Sequence, residues 1–96
     1  MLLAIDIGNT NITVGLFNGD LLSATWRIST DSSKTSDEYG LQLTQMLEGG
    51  KSDVGDISHV AICSVVPPLT PTFQSLCQRY FGTAPFVVGS GTKTGG

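Results

Sequence analysis

Two runs of alternating apolar and polar residues meet at Asn18-Gly19, and that dipeptide dictates an antiparallel hairpin. Both of its residues tolerate positive φ, as the tight turns between twisted strands require. Before it, Ile12, Val14 and Leu16 fall on one face; after it, Leu22, Ala24, Trp26 and Ile28 alternate with Ser23, Thr25 and Arg27. Upstream lies Leu2–Ile5, a continuous apolar run of the kind that forms a strand covered on both faces. It ends in a polar turn, Asp6-Ile7-Gly8-Asn9-Thr10-Asn11. Three consecutive strands joined by tight turns make an antiparallel meander.

The remainder changes period. A polar loop, Ser29–Lys34, precedes Thr35 and Glu38, whose spacing fits a capping box. Tyr39, Leu43, Met46 and Leu47 then share a helical face, and Gly49-Gly50 stops the helix. Gly40 inside it costs about 1 kcal/mol relative to alanine and is either a close-packing point or a tolerated surface glycine. Ile57–Val66 holds a buried strand, Val60-Ala61-Ile62-Cys63, ended by Pro67-Pro68. Thr70 as N-cap and Pro71 at the first helical position open a second helix. Its inward stripe is Phe73, Leu76, Cys77 and Tyr80, with Gly82 just past its end. Pro85–Val88 is a last strand before the glycine-rich Gly89–Gly96. The order β-β-β-α-β-α-β predicts an α/β domain with a mixed five-stranded sheet. The chain stops directly after a strand, where α/β folds place binding loops, so a truncated domain is expected.

Composition narrows the function classes. With 40% apolar and 14% charged residues, the chain has enough to bury and little to keep it solvated, so it is globular. A net charge of −3 without a basic cluster repels a polyanion, which argues against a nucleic-acid partner. No apolar run approaches the roughly 18 residues of a membrane span, and MLLAID has no basic segment before it, so a cytoplasmic protein without a membrane partner is expected. Cys63 and Cys77 form no CxxC pair, and both lie in apolar runs; they are expected as free thiols buried in the core.

The Asp6–Asn11 turn holds the residue types that phosphate and metal-ion contacts need. It offers a carboxylate, a glycine for close backbone approach, and small amide and hydroxyl side chains. Successive N–H groups of such a turn can form an anion-binding concavity, with Thr10, Asn11 and Thr13 adding donors. Asp6, at a strand's C-terminal end, could hold Mg²⁺ through water. An ordinary polar hairpin turn has the same composition. Neither GxxxxGK[ST] nor GxGxxG occurs, and a strand rather than a helix follows. Elsewhere, His59 has no partner that would make it a base, and Asp37-Glu38 suits a helix's first turn. Lys93 resembles a phosphate ligand in composition only. Ser64–Pro68 either walls a nucleotide site or merely breaks a strand.

The turn and its flanking strands resemble the first phosphate loop of the acetate-and-sugar-kinase/Hsp70/actin superfamily. Four co-linear segments resemble type III pantothenate kinase more narrowly. They are Leu3–Asn11; Trp26-Arg27-Ile28-Ser29-Thr30 with Thr35–Tyr39; Ser64–Leu69; and Val87-Val88-Gly89 with Lys93-Thr94-Gly95. The resemblance implies a ribonuclease-H-like (actin-like ATPase) domain over residues 1–96, the N-terminal part of a two-domain kinase whose second domain is absent from this chain. It implies ATP-dependent phosphorylation of pantothenate at its primary hydroxyl, the first step towards coenzyme A. ATP phosphates would contact Asp6, Ile7, Gly8, Asn9, Thr10, Asn11, Ile12 and Thr13, with Mg²⁺ on Asp6. A monovalent cation (K⁺ or NH₄⁺) and a homodimer in the full-length protein are further implications. The family's Gly-x-Asp-Arg segment, which carries the general base, has no match here, so no catalytic base is expected within the chain. Two other readings are a nucleotide-binding regulatory module of the same superfamily and a transcription accessory protein like Bvg accessory factor; the acidic charge opposes the latter.

Overall fold

The computed structural model describes residues 1–89. Strands β1 (Leu2–Ile7), β2 (Asn11–Asn18) and β3 (Leu21–Ser29) are followed by helix α1 (Ser36–Gly49), a 3₁₀ turn (Val54–Asp56) and β4 (His59–Ser64). Helix α2 (Leu69–Leu76) runs on through one π turn (Cys77–Phe81), and β5 (Phe86–Gly89) ends the described chain. The sheet order is β3-β2-β1-β4-β5, antiparallel across β3-β2-β1 and parallel across β1-β4-β5. The mixed five-stranded sheet and its element order are those expected from the sequence.

The core lies on one face of the sheet. Leu3, Ile5 and Ile7 of β1, Ile12, Val14 and Leu16 of β2, and Val60 and Ile62 of β4 point into it. Against them pack Tyr39, Leu43 and Leu47 of α1 and Leu69, Phe73 and Leu76 of α2. The Tyr39 and Phe73 rings join the two helices at a centroid distance of 4.8 Å. The capping box is present: Glu38 N–H donates to Thr35 Oγ1 at 3.2 Å, and Thr35 N–H donates to Glu38 Oε1 at 2.8 Å. Gly40 is buried under Tyr80, and a Cβ there would lie 2.6 Å from Tyr80 Cδ1, so this glycine is a close-packing point.

Four expectations are corrected. Helix α2 starts at Leu69 with Pro68 as its N-cap, not at Pro71 with Thr70 as cap. Leu69 N–H reaches Val66 O at 2.9 Å, so the turn begins directly after Pro67 and buries Leu69 early. Pro71 still sits in the first turn, where an N–H has no helical acceptor to lose. Leu22 leaves the core-facing set, because the β2–β3 register shifts between Leu16 and Phe17, pairing Ala24 with Leu16 but Leu22 with Phe17. The bulge carries Leu22 to the opposite face, where it is 54% exposed. Cys63 is exposed rather than buried, since alternation along β4 turns it away from Val60 and Ile62. Leu2–Ile5 is covered on one face only among the described residues, because both helices lie on the same side.

Candidate phosphate site

The chain leaves β1 towards β2 on one side, while β4, paired to β1 on the other, leads on to β5. The strand order thus reverses between β1 and β4, and α/β sheets bind ligands at the C-terminal ends of their strands. Ile7, Ser64 and Gly89 are register partners across β1, β4 and β5, so the three strands end together there.

The turn that fills this end runs from Asp6 to Asn11. Gly8 N–H donates to Asn11 O at 3.0 Å, and a Cβ on Gly8 would meet that same oxygen at 3.0 Å. The turn is closed too tightly for a side chain at Gly8. Among the described residues, the N–H groups of Asn9 and Thr10 donate no hydrogen bond, and both residues are exposed. Asp6 and Thr13 are register partners on the face opposite the helices, and both are exposed. Free amides, hydroxyls and one carboxylate at a strand end fit a phosphate chain carrying a hydrated divalent cation. Ile7 and Ile12 are fully buried, so only their backbones face the site. No cluster of three or more metal-ligating side chains occurs among the described residues, which leaves Asp6 as the one carboxylate of the turn.

Other sequence candidates fall elsewhere. His59 begins β4, five residues from Ser64 and hence about 16 Å from the turn along the strand. Its Nδ1 lies 3.1 Å from Ser58 Oγ. Asp37 pairs with Arg79 at 2.9 Å and accepts from Tyr80 Oη at 3.0 Å, while Glu38 serves the capping box. The Ser64–Pro68 segment borders the site: Val65 N–H donates to Ile7 O at 3.0 Å, and Ser64 Oγ accepts from Val66 N–H at 3.1 Å. Lys93, Thr94 and Gly95 lie outside the described residues.

The structure brings to the site two residues that the sequence gives only as part of the Trp26–Thr30 segment, without a role there. Arg27 pairs in register with Thr13, which places an exposed cation in the same row as Asp6. Period two already sets Arg27 opposite Trp26 and Ile28, so this much was available from the sequence. Thr30 is the second addition: its N–H donates to Thr10 O at 2.9 Å and its Oγ1 donates to Gly8 O at 2.7 Å. Asp31 follows it; hydrogen bonds from the Ser33 hydroxyl (2.6 Å) and N–H (3.0 Å) hold its carboxyl below the ordinary range. Along the same face runs an apolar hollow of about 410 Å³, with the cross-strand row Thr13, Asp6, Cys63 and Val88 towards one end and Phe17 and Leu22 towards the other.

Comparison with known proteins finds relatives over the whole chain. The family model described as type III pantothenate kinase matches residues 2–96. The chain is 47% identical over 95 residues to type III pantothenate kinase 2 of Symbiobacterium thermophilum, covering 99% of this chain and 36% of that protein. It is equally similar, at 47%, to type III pantothenate kinase of Geobacter sulfurreducens, of which it covers 37%. The chain thus spans little more than a third of the length of these curated relatives. Among solved structures, a ROK hexokinase from Thermus thermophilus superposes over 92% of this chain and 34% of its own, with a TM-score of 0.65 at 13% identity. That likeness shows the fold, a ribonuclease-H-like arrangement.

Proposed function

The chain belongs to the type III pantothenate kinase family, and from that premise we propose that it is the ATP-phosphate-binding N-terminal part of an enzyme that phosphorylates pantothenate. The observation that carries this reading is the Asp6–Asn11 turn, which presents unpaired amides and a carboxylate where β1, β4 and β5 end together. Asp6 would hold Mg²⁺ through water, and Gly8, Asn9, Thr10, Asn11 and Thr13 would cradle the phosphates, with Ile7 and Ile12 contributing backbone only. Bound Mg²⁺ supplies charge neutralisation on the transferring phosphoryl group. The turn's own part is positioning: its amides are fixed before the nucleotide arrives, so little reorganisation accompanies phosphoryl transfer. The second domain, the monovalent cation, the homodimer and the cytoplasmic setting belong to the same proposal and rest on the family resemblance.

The test is direct. The longer protein carrying this domain, given pantothenate, Mg²⁺, K⁺ and ATP labelled in its γ-phosphate, is expected to yield labelled phosphopantothenate. A folded protein that transfers no label overturns the reading.

A further inference from the structure

We infer that Thr30 is a positioning residue for the phosphate turn, an inference that rests on the nucleotide reading of Asp6–Asn11. Thr30 is the first residue beyond β3, and it binds two carbonyls of the turn at once, those of Gly8 and Thr10. A trans peptide holds its C=O and N–H on opposite sides. Drawing the Gly8 carbonyl towards Thr30 therefore turns the N–H of the same peptide, that of Asn9, the other way. That N–H, like the one of Thr10, donates to nothing among the described residues. Thr30 thus does two things: it keeps a carbonyl dipole away from an anion and presents an amide to it.

Thr30 is itself held from behind. Asp31 N–H donates to Tyr39 Oη at 2.8 Å, and Tyr39 Oη donates back to Asp31 O at 2.8 Å. Tyr39 is fully buried against Phe73, one residue after the Glu38 of the capping box. The start of α1 is thereby linked through Tyr39 and Asp31 to Thr30 and the turn.

Two substitutions separate the hydroxyl from the shape of the side chain. Thr30→Val removes the donor and keeps the branch; Thr30→Ser keeps the donor. MgATP titrated into the longer protein carrying this domain and followed by amide NMR is expected to bind the valine variant about tenfold more weakly, the order of one hydrogen bond, and the serine variant within about threefold of wild type. The free valine variant should also show a displaced Asn9 amide and faster hydrogen exchange at Gly8, both restored by serine. MgATP binding wild type and valine variant equally, with the Asn9 amide in place, overturns the role of Thr30. MgATP that leaves the wild-type spectrum unmoved overturns the nucleotide reading instead, and exchange in the free chain still decides whether Thr30 orders the turn. Should the valine variant fail to fold, Tyr39→Phe removes only the anchoring hydroxyl; it is expected to shift the Asn9 amide the same way, and an unmoved amide counts against the strap.

Discussion

Asp6 is set between Thr13 of β2 and Cys63 of β4, its register partners on the face away from the helices. In the longer protein proposed to be a kinase, Asp6→Ala is expected to slow phosphoryl transfer about a hundredfold or more, on the order of 3 kcal/mol of transition-state stabilisation. Near-normal turnover by the folded variant would remove Asp6 from the site. The two cysteines behave as opposites because one faces the open side and the other the core. A thiol reagent should label Cys63 in the native chain and reach Cys77 only after denaturation; equal native labelling of both contradicts the packing around α2. Burial pushes the Cys77 thiol from 9.0 up to about 12. Between those values the unfolded chain has lost this proton and the folded chain keeps it. The thiol's contribution to stability is therefore whole below about pH 9 and falls away as pH rises towards 12. Cys77→Ala or Cys77→Ser should flatten the decline in denaturation midpoints over that window, and an unchanged slope would place the alkaline sensitivity elsewhere.

At the scale of elements, α1 and the end of α2 meet where a glycine makes room. Gly40 lies under the Tyr80 ring, whose hydroxyl is tied to Asp37, itself paired with Arg79. Gly40→Ala gains helix propensity but pushes the ring off its partner, and a net loss of about 1–2 kcal/mol is expected. Denaturant unfolding of a cycle with Tyr80→Ala checks it: the loss should vanish when the ring is gone, whereas a cost that persists would put the strain in the helix backbone. Elements such as α1 were legible in the sequence because local chemistry sets them. Thr35 with Glu38 marks its start, and the stripe Tyr39, Leu43, Leu47 marks its buried face. The start of α2 was not, because three prolines at 67, 68 and 71 fit either frame and the burial of Leu69 chose between them. Leu22 was misplaced for a similar reason: period two assumes an unbroken ladder, and a bulge needs the partner strand to reveal it. The turn Asp6–Asn11 could be read from its residues, but the hold of Thr30 on it depends on a contact across 22 positions of sequence.

At the scale of the whole molecule, the proposed phosphate cradle stands without a visible base among the described residues. Asp6 is the carboxylate of the turn and is given to the metal in the proposed site. Asp31, next along from Thr30, accepts hydrogen bonds from the Ser33 hydroxyl and N–H, which hold its carboxyl below the ordinary range. Asp37 is engaged by Arg79 and Tyr80, Glu38 by the N-terminus of α1, and Asp56 by Asp53 N–H in the 3₁₀ turn. His59 lies at the far end of β4. Proton abstraction needs a base within about 3 Å of the attacking hydroxyl, directly or through one water, and none of these groups is placed for it. The apolar face beside Asp6 is also open among the described residues, so a nucleotide here would be gripped from one side and reached by water from the other. The 96-residue chain alone is therefore expected to bind MgATP weakly and to transfer no phosphate to pantothenate. Purified chain incubated with labelled ATP, Mg²⁺, K⁺ and pantothenate should give no product above the enzyme-free control. Turnover of roughly 1 s⁻¹ or more, the ordinary range for kinases, would put the base within these residues and show the proposed site to be misassigned.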